Sequence, residues 1–362
     1  MENRKIRVGI THGDMNGIGY EIILKAFEDD AMFDLCTPIV YGSPKVATYY
    51  RKTIGVETNF SIINQAQQAT DDKLYILNCC NDDAKVDIGQ STPEAGQNAM
   101  LALERVVSDY KNGLIDVLVT APINKKNIQS DVFCFPGHTE YLEACLGNGD
   151  KALMILLNEH LRVALATGHI PVRDIASAIT SDVLEEKTAL FSNSLRNDFG
   201  IEKPRIAVLA LNPHAGDDGL IGKEELETIN PTISKMREQG ILCFGPYAAD
   251  GFFGSGNYTH FDGVLAMYHD QGLAAFKALS MDDGVNFTAG LPVVRTSPDH
   301  GTAYDIAGKG IASAQSLRSA IYTAIDIFRN REREKECSAN PLRKLYYNKR
   351  DDSDKLKLDS IE

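Results

Sequence analysis

The 362-residue chain has no Cys-x-x-Cys pair. Its seven cysteines stand at Cys36, Cys79, Cys80, Cys134, Cys145, Cys243 and Cys337. That spacing excludes zinc-knuckle and thioredoxin-like motifs, and scattered thiols in odd number are expected to stay reduced. No apolar run approaches the roughly 20 residues of a membrane helix. The polar start, residues 1–5, runs straight into a strand-like segment, so no signal peptide is expected and a cytoplasmic location is. Basic excess is also missing. Lys+Arg 37 against Asp+Glu 50 leaves a net charge of −13, with no basic stripe interleaved with aromatics. Nucleic acid is therefore not an expected partner. There is no repeat of fixed period, no low-complexity tract, and no GxGxxG, Walker A or HExxH motif.

What is present is an ordinary globular balance, 43% hydrophobic and 24% charged, in a chain long enough for two domains or one large domain with a cleft. Short apolar runs at 6–11, 38–42, 74–77, 116–120, 162–166, 205–211, 241–244 and 264–267 predict strands. Helical segments lie between them. One spans 21–27. Another opens at Ser91-Thr92-Pro93-Glu94, where either Ser91 with Glu94 forms a capping box or Thr92 caps with Pro93 first in the helix. Met100, Leu103, Val107 and Tyr110 continue it, and Gly113 stops it. A third carries Leu184, Phe191 and Leu195 and stops at Gly200. A stretch from Lys223 is interrupted at Pro231, and a last helix after Ile311 carries Leu317, Ile321, Ile325 and Phe328. Strands alternating with helices predict an α/β fold with a mainly parallel sheet. After Asn330 a charged tail, 331–362, is expected to be partly disordered.

Chemistry gathers at strand ends. The run 162–166 exits into Thr167-Gly168-His169, the run 205–211 into Asn212-Pro213-His214, and the run 264–267 into Tyr268-His269-Asp270. In a parallel sheet those ends share one edge, so His169, His214 and His269 are placed to converge. Three neutral imidazoles with an open position commonly hold a catalytic divalent cation. Imidazole suits zinc, cobalt or nickel better than calcium. Asp250, in Gly245-Pro-Tyr-Ala-Ala-Asp250, and Asp270 stand beside the same edge, to orient the imidazoles or act as a base. For anions, Phe135-Pro-Gly-His-Thr-Glu140 reads as a loop entering a helix, where amides and the Thr139 hydroxyl receive a phosphate or only cap the helix. Lys277, Asn286 and Arg295 add two cations and an amide, Arg295 being able to grip a carboxylate or phosphate with two parallel bonds.

Taken together, Thr120-Ala-Pro-Ile-Asn-Lys125, Pro136-Gly-His-Thr-Glu140, Ala166-Thr-Gly-His169, Leu211-Asn-Pro-His-Ala-Gly216, Gly245-Pro-Tyr-Ala-Ala-Asp250 and Tyr268-His-Asp-Gln-Gly272 resemble, in order, the segments of the 4-hydroxythreonine-4-phosphate dehydrogenase family of pyridoxal phosphate biosynthesis. The likeness spans roughly residues 5–330. The segment from His300 to Gly310 also looks like the adenosine-side cofactor loop of isocitrate and isopropylmalate dehydrogenases, which bind NAD without GxGxxG. The resemblance implies a two-domain α/β/α fold of the isocitrate/isopropylmalate dehydrogenase type, divided 1–128 with 305–330 against 129–304, and a homodimer with its site in a cleft at the subunit interface. It carries over His169, His214 and His269 as ligands of one divalent metal, zinc being favoured over cobalt or magnesium. His138, Thr139, Lys277, Asn286 and Arg295 carry over as contacts to a small phosphorylated substrate, and His300, Gly301, Thr302 and Asp305 as contacts to NAD or NADP. Asp250, Asp270 and Lys277 are the unranked candidates for proton transfer. The implied reaction is oxidation of 4-phosphooxy-L-threonine followed by decarboxylation. A paralogue acting on another phosphorylated hydroxy acid or a dihydrodiol, and a binding protein without catalysis, are the alternatives. One departure stands out: the family's first turn, Thr-Pro-Gly-Asp/Glu-Pro-Ala-Gly-Ile-Gly-Pro-Glu, reads here Thr11-His-Gly-Asp-Met-Asn-Gly-Ile-Gly-Tyr-Glu21, with its prolines lost.

Overall fold

The computed structural model describes residues 4–340 apart from 71, 72, 82, 132 and 281. Twelve strands form one sheet: β1 Ile6–Thr11, β2 Cys36–Gly42, β3 Phe60–Ile63, β4 Leu74–Asn78, β5 Val117–Thr120, β6 Leu153–Leu157, β7 Arg162–Leu165, β8 Ile206–Leu209, β9 Cys243–Tyr247, β10 Gly263–Ala266, β11 Val285–Ala289 and β12 Arg295–Pro298. Their order is β3-β4-β2-β1-β5-β12-β11-β6-β7-β10-β8-β9. The pairs are parallel except β12 with β11, β11 with β6, and β6 with β7. The sheet is therefore two parallel halves of opposite sense, joined at a short antiparallel seam. The expected boundary between two units falls on this sheet, and β12 is hydrogen-bonded to β5 on one side and β11 on the other.

Each of the eight expected strands overlaps an observed one, and β1 matches to the residue. Strands covered on both faces need apolar side chains throughout, and all seven residues of β2 are buried. β3, β6, β11 and β12 were not expected. The helix Pro93–Lys111 starts by the second of the two alternatives: Pro93 opens it, and the Thr92 side chain accepts from Ala95 N. Its Gly96 lies directly against the Asn127 carbonyl, leaving no room for a Cβ, so the loop after β5 rests on this helix. The stretch after Lys223 is a π-turn, Glu225–Ile229, running into the helix Asn230–Glu238. Pro231 sits at the junction of the two, where it has no N–H to offer the preceding turn.

The closing helix, Gln315–Ser338, packs across β12, β5 and β11 through Leu317, Ala320, Ile321, Ala324 and Ile325. It runs eight residues into the expected charged tail, so 331–338 are helical. The reason is local: Arg331 Nε meets the buried Asp198 carboxylate at 2.6 Å, and its Nη1 donates to the carbonyls of Leu291 and Pro292 at 3.0 Å. The rest of the expected tail, 341–362, lies outside the described residues. No described helix is long and apolar enough to cross a membrane.

A buried carboxylate ties the first turn of the chain to its last loop. Glu21, fully buried in the helix Gly19–Ala26, accepts from Gly308 N at 3.1 Å and Ala312 N at 2.9 Å. Lys25 pairs with it at 3.2 Å and donates to the Gly310 and Ala312 carbonyls. Removing one partner of such a cluster leaves buried donors and a charge uncompensated. Glu21→Ala is expected to lower unfolding stability by roughly 3–5 kcal/mol, read as a loss of melting temperature; an unchanged midpoint would show the clamp to be dispensable.

Candidate active site

The seam between the two halves of the sheet carries the site. Side chains two apart on a strand share a face, and the ladders align Arg295 with Thr288 and Met154, and Ser297 with Asn286 and Leu156. This mixed polar and apolar face floors a cavity of about 290 Å³. One wall is the helix His269–Leu279. Its Gly272 lies so close to Val163, Leu165 and Ala266 that a Cβ would stand 2.8–3.1 Å from their side chains, and this contact seats the helix on β7 and β10. From that helix Leu273 and Lys277 face the cavity, and Lys277 Nζ reaches back to the Asp299 carbonyl at 3.0 Å. The other wall is the start of the helix His138–Leu146 and the loop after β5.

Arg295 is 2% exposed, yet no carboxylate pairs with it among the described residues. Its Nε and Nη2 donate to Thr120 Oγ1 at 3.1 and 2.6 Å, Nη1 to Thr288 Oγ1 at 3.1 Å, and Nη2 to His138 Nδ1 at 3.2 Å. Burial pulls its pKa down to about 10, with the Glu140 charge opposing. A guanidinium only donates, so His138 Nδ1 is the acceptor and the ring's proton sits on Nε2. Burial, then the charges of Arg295 and Lys125, hold His138 well below the usual imidazole range. It is a neutral ring, and its Nε2–H is buried without a partner. Asn286 Oδ1 is buried and unpartnered as well. His300 Nδ1 stands 3.1 Å from the Gly301 carbonyl, and its Nε2 is buried without a partner. Buried polar groups are nearly always paired. Here three of them and a guanidinium line one cavity, which marks it as a site for a polar ligand.

The expected histidine trio is partly assembled. β7, β10 and β8 are consecutive and parallel, so their carboxyl ends do share an edge. His169 and His269 face each other with ring centroids 5.4 Å apart, and both line the cavity. Burial, then Lys125 and His269, lower the His169 pKa and favour the neutral, ligand-competent ring. His269 Nδ1 lies 2.7 Å from Asp270 Oδ1; a proton held there leaves Nε2 free to bind a cation, the usual carboxylate–imidazole arrangement. His214 stands apart from the cavity. It is exposed, in a segment where His214, Ala215, Gly216, Asp217 and Asp218 all have positive φ, 45–80°. No group of three His, Cys, Asp or Glu able to hold a metal occurs among the described residues of one chain. Two of the three expected ligands therefore come together at the cavity, and the third does not.

The other expected residues divide similarly. Thr139, His300 and Gly301 line the cavity with His138, Lys277, Asn286 and Arg295. Thr302 does not; its carbonyl accepts from Ile18 N at 3.0 Å and binds the cofactor-like segment to the altered first turn. Asp305 and Asp250 are exposed and outside the cavity, and the Asp270 side chain is 85% exposed. Lys125, Glu140, Ser297 and Asp299 line the cavity without having been given a role from sequence. Thr120 and Lys125 belong to a recognised segment, so that signal was available; Ser297, two residues beyond Arg295, was hidden because β12 was not expected.

The fold and this cavity define an α/β protein with a buried guanidinium beside a pair of facing imidazoles. The family model described as pyridoxal phosphate biosynthetic protein PdxA matches residues 34–324. The 4-hydroxythreonine-4-phosphate dehydrogenase of Bacteroides thetaiotaomicron is 65% identical over 362 residues, the whole of both chains. A putative D-threonate 4-phosphate dehydrogenase of Oceanobacillus iheyensis is 36% identical, covering 90% of this chain and 98% of that one. The crystal structure of a 4-hydroxythreonine-4-phosphate dehydrogenase from Klebsiella pneumoniae matches with a TM-score of 0.78 at 32% identity, over 90% of this chain and 99% of that one. The chain belongs to the PdxA family.

The His214 turn gives a structural test. Left-handed residues other than glycine cost about 1–2 kcal/mol each, so something must hold the turn. The buried Glu225 carboxylate does: it accepts from Leu211 N, Asn212 N and Asn212 Nδ2, each at 2.8 Å. Glu225→Ala strands those donors and is expected to cost roughly 2–5 kcal/mol, with faster amide hydrogen exchange across 211–220. Unchanged exchange there would show that the turn is held by other contacts.

Proposed function

We propose that this chain is an NAD(P)-dependent dehydrogenase that oxidises 4-phosphooxy-L-threonine at its secondary alcohol. The hydride passes to the nicotinamide and the hydroxyl proton to an acceptor, giving 2-amino-3-oxo-4-phosphooxybutanoate. That β-keto acid loses carbon dioxide to give 3-amino-2-oxopropyl phosphate for pyridoxal 5′-phosphate synthesis. The observation that carries this reading is the buried Arg295 guanidinium, which lacks a carboxylate of its own and stands beside the unpaired His138 Nε2–H. An anionic substrate supplies the missing charge, and an uncharged diol does not.

His169 and His269, with His214, are the proposed holders of a divalent cation, which when bound polarises the reacting oxygen. The chain's own groups do the rest. Arg295 and His138 fix one anionic end of the substrate. Asn286 Oδ1 is an acceptor for its ammonium or hydroxyl protons. Of the three proton-transfer candidates only Lys277 lines the cavity, and the Asp299 carbonyl holds its ammonium in place to protonate the carbon that carbon dioxide leaves. The cofactor is assigned to the side formed by His300 and Gly301. A homodimer with the site at the subunit interface is part of the proposal. It is supported by His214 standing outside its own cavity and by the exposed Val172, Leu220 and Ile221 in the segments after β7 and β8. A second phosphorylated hydroxy acid, D-threonate 4-phosphate, stays a rival because of the Oceanobacillus relative.

Purified protein is expected to form NADH from 4-phosphooxy-L-threonine, to stop with EDTA, and to recover with zinc, cobalt or magnesium. Turnover of D-threonate 4-phosphate alone would move the assignment to that substrate, and chelator-resistant turnover would remove the metal. His169→Ala is expected to lower metal content as well as turnover. Arg295→Lys keeps the charge but loses the fork, so kcat/KM should fall by roughly tenfold to a hundredfold, from about 1.5–3 kcal/mol of charge-assisted bonding. Unaltered kcat/KM would show that the substrate's anionic end lies elsewhere.

A further inference from the structure

Tyr304 lies in the segment that follows His300 and Gly301, yet it does not line the cavity. Its hydroxyl stands where three stretches of the chain meet. It donates to Asp14 Oδ2 at 2.8 Å and accepts from Asn124 Nδ2 at 3.1 Å. Asp14, 1% exposed, belongs to the first turn, and its Oδ2 also accepts from Asn127 Nδ2 at 2.7 Å. Asn124 closes the loop after β5, its Oδ1 accepting from Lys126 N at 2.9 Å and Asn127 N at 3.3 Å. The first turn and this loop are locked by backbone as well: Asp14 N donates to the Pro122 carbonyl at 2.8 Å, and Gly13 leaves no room for a Cβ beside it. The later segment is held less firmly. Ala303, just before Tyr304, has a φ of 43°, a left-handed conformation that costs free energy in a residue other than glycine. Gly301 has nothing within 4 Å of where a Cβ would stand. Burial, then the bond to Asp14, raises the Tyr304 pKa, so the phenol keeps the proton it donates. Two of the joined stretches reach the cavity, the loop through Pro122, Ile123 and Lys125 and the later segment through His300 and Gly301.

We infer that Tyr304 is a positioning residue that couples the two sides of the cavity, so that cofactor and substrate each tighten the binding of the other. The inference rests on the reading of the His300–Gly301 side as the nicotinamide cofactor's and of the cavity as the phosphorylated substrate's. A ligand held by either stretch orders the shared hydrogen bonds, and the second ligand then meets a segment already ordered. The hydroxyl suits this role because it is bonded on both sides at once, to Asp14 as donor and to Asn124 as acceptor. Without it, Asp14 loses a donor, Asn124 loses an acceptor, and Ala303 is released from its strained conformation. No group that lines the cavity is altered. Such coupling is reciprocal and typically amounts to about 5–150-fold in affinity.

The reduced cofactor, NADH or NADPH, and 4-phosphooxy-L-threonine form a complex that cannot turn over. Nicotinamide fluorescence reports the cofactor's affinity in the intact protein supplied with divalent metal. In the wild type the substrate is expected to tighten cofactor binding by roughly fivefold or more. Tyr304→Phe should bring that factor close to one, with cofactor affinity in the absence of substrate little changed. Amide hydrogen exchange across 301–306 should slow when substrate alone is added to the wild type and not in Tyr304→Phe, a difference that lost stability does not imitate. Asn124→Asp keeps an acceptor for the loop amides and loses the donor to Tyr304, so it should lower the factor as well; it serves as the test if Tyr304→Phe does not fold. A factor retained in the variants overturns the proposal, whether or not cofactor binding itself weakens, and so does a wild-type factor near one. A wild type that binds neither reduced cofactor refutes the cofactor reading of the site. One that binds cofactor but no 4-phosphooxy-L-threonine refutes the substrate reading, and both results are seen before any variant is made.

Discussion

The structure is organised around a guanidinium that is buried without a counter-charge. Burying an ion costs several kcal/mol even after relaxation, and the hydroxyls of Thr120 and Thr288 return hydrogen bonds to Arg295 but no charge. The cost is tolerable because the surrounding elements keep the position open to a ligand. β12 presents Arg295 and Ser297 on one face, β11 presents Thr288 and Asn286 beside them, and the start of the helix His138–Leu146 supplies a neutral imidazole as acceptor. The reversal of strand sense at β11 and β6 puts this polar floor in the middle of the sheet. A fully parallel sheet would have offered only its edge.

The second constraint is the first turn of the chain, where the family's prolines are missing. Stiffness there has another source. His12 stacks on Tyr20 at 5.0 Å and Tyr20 on Tyr50 at 5.8 Å, while the Tyr50 hydroxyl donates to the Gly17 carbonyl at 2.9 Å. Burial drives the His12 pKa down to about 4, so the stack holds an uncharged ring. The retained acids act on the cofactor-like segment. Asp14 accepts from the Tyr304 hydroxyl at 2.8 Å, and Glu21 holds Gly308 and Ala312. A turn that departs from the family's pattern in its rigid residues keeps it in the residues that make these bonds.

How much of this could be read from the residues follows from what each element is selected to do. β1, β2, β7, β8 and β10 are buried for packing alone, and their apolar runs are plain in the sequence. β11 and β12 carry Asn286, Thr288, Arg295, Thr296 and Ser297, and polar side chains that serve a site erase the pattern that identifies a strand. β6, Leu153–Leu157, is apolar throughout, but so short a run fits a helix as well as a strand. Strand ends placed His169 and His269 correctly on one edge. The same reasoning could not foresee that Asn212 onward would turn left-handed and carry His214 away, because that path is set by Glu225 thirteen residues on from Asn212.

The cavity's charge and its imidazoles are parts of one arrangement. Burial is the first cause that lowers the pKa of both His138 and His169; Arg295 and then Lys125 add to it at His138, and Lys125 at His169. Both shifts run downward, so each ring is neutral above its depressed pKa and gains a proton only in more acidic solution. Burial and the cavity's positive field thus act together to keep both rings neutral, and a neutral His138 is the acceptor for Arg295. Electrostatic preorganisation of this kind needs no movement when the ligand arrives. Of the acids nearby, Asp270 bonds to His269 from the solvent side, Asp299 offers Lys277 its carbonyl, and Glu140 lines the cavity. The chain as a whole is acidic, yet Arg295, Lys277 and Lys125 line this cavity beside the acids Glu140 and Asp299.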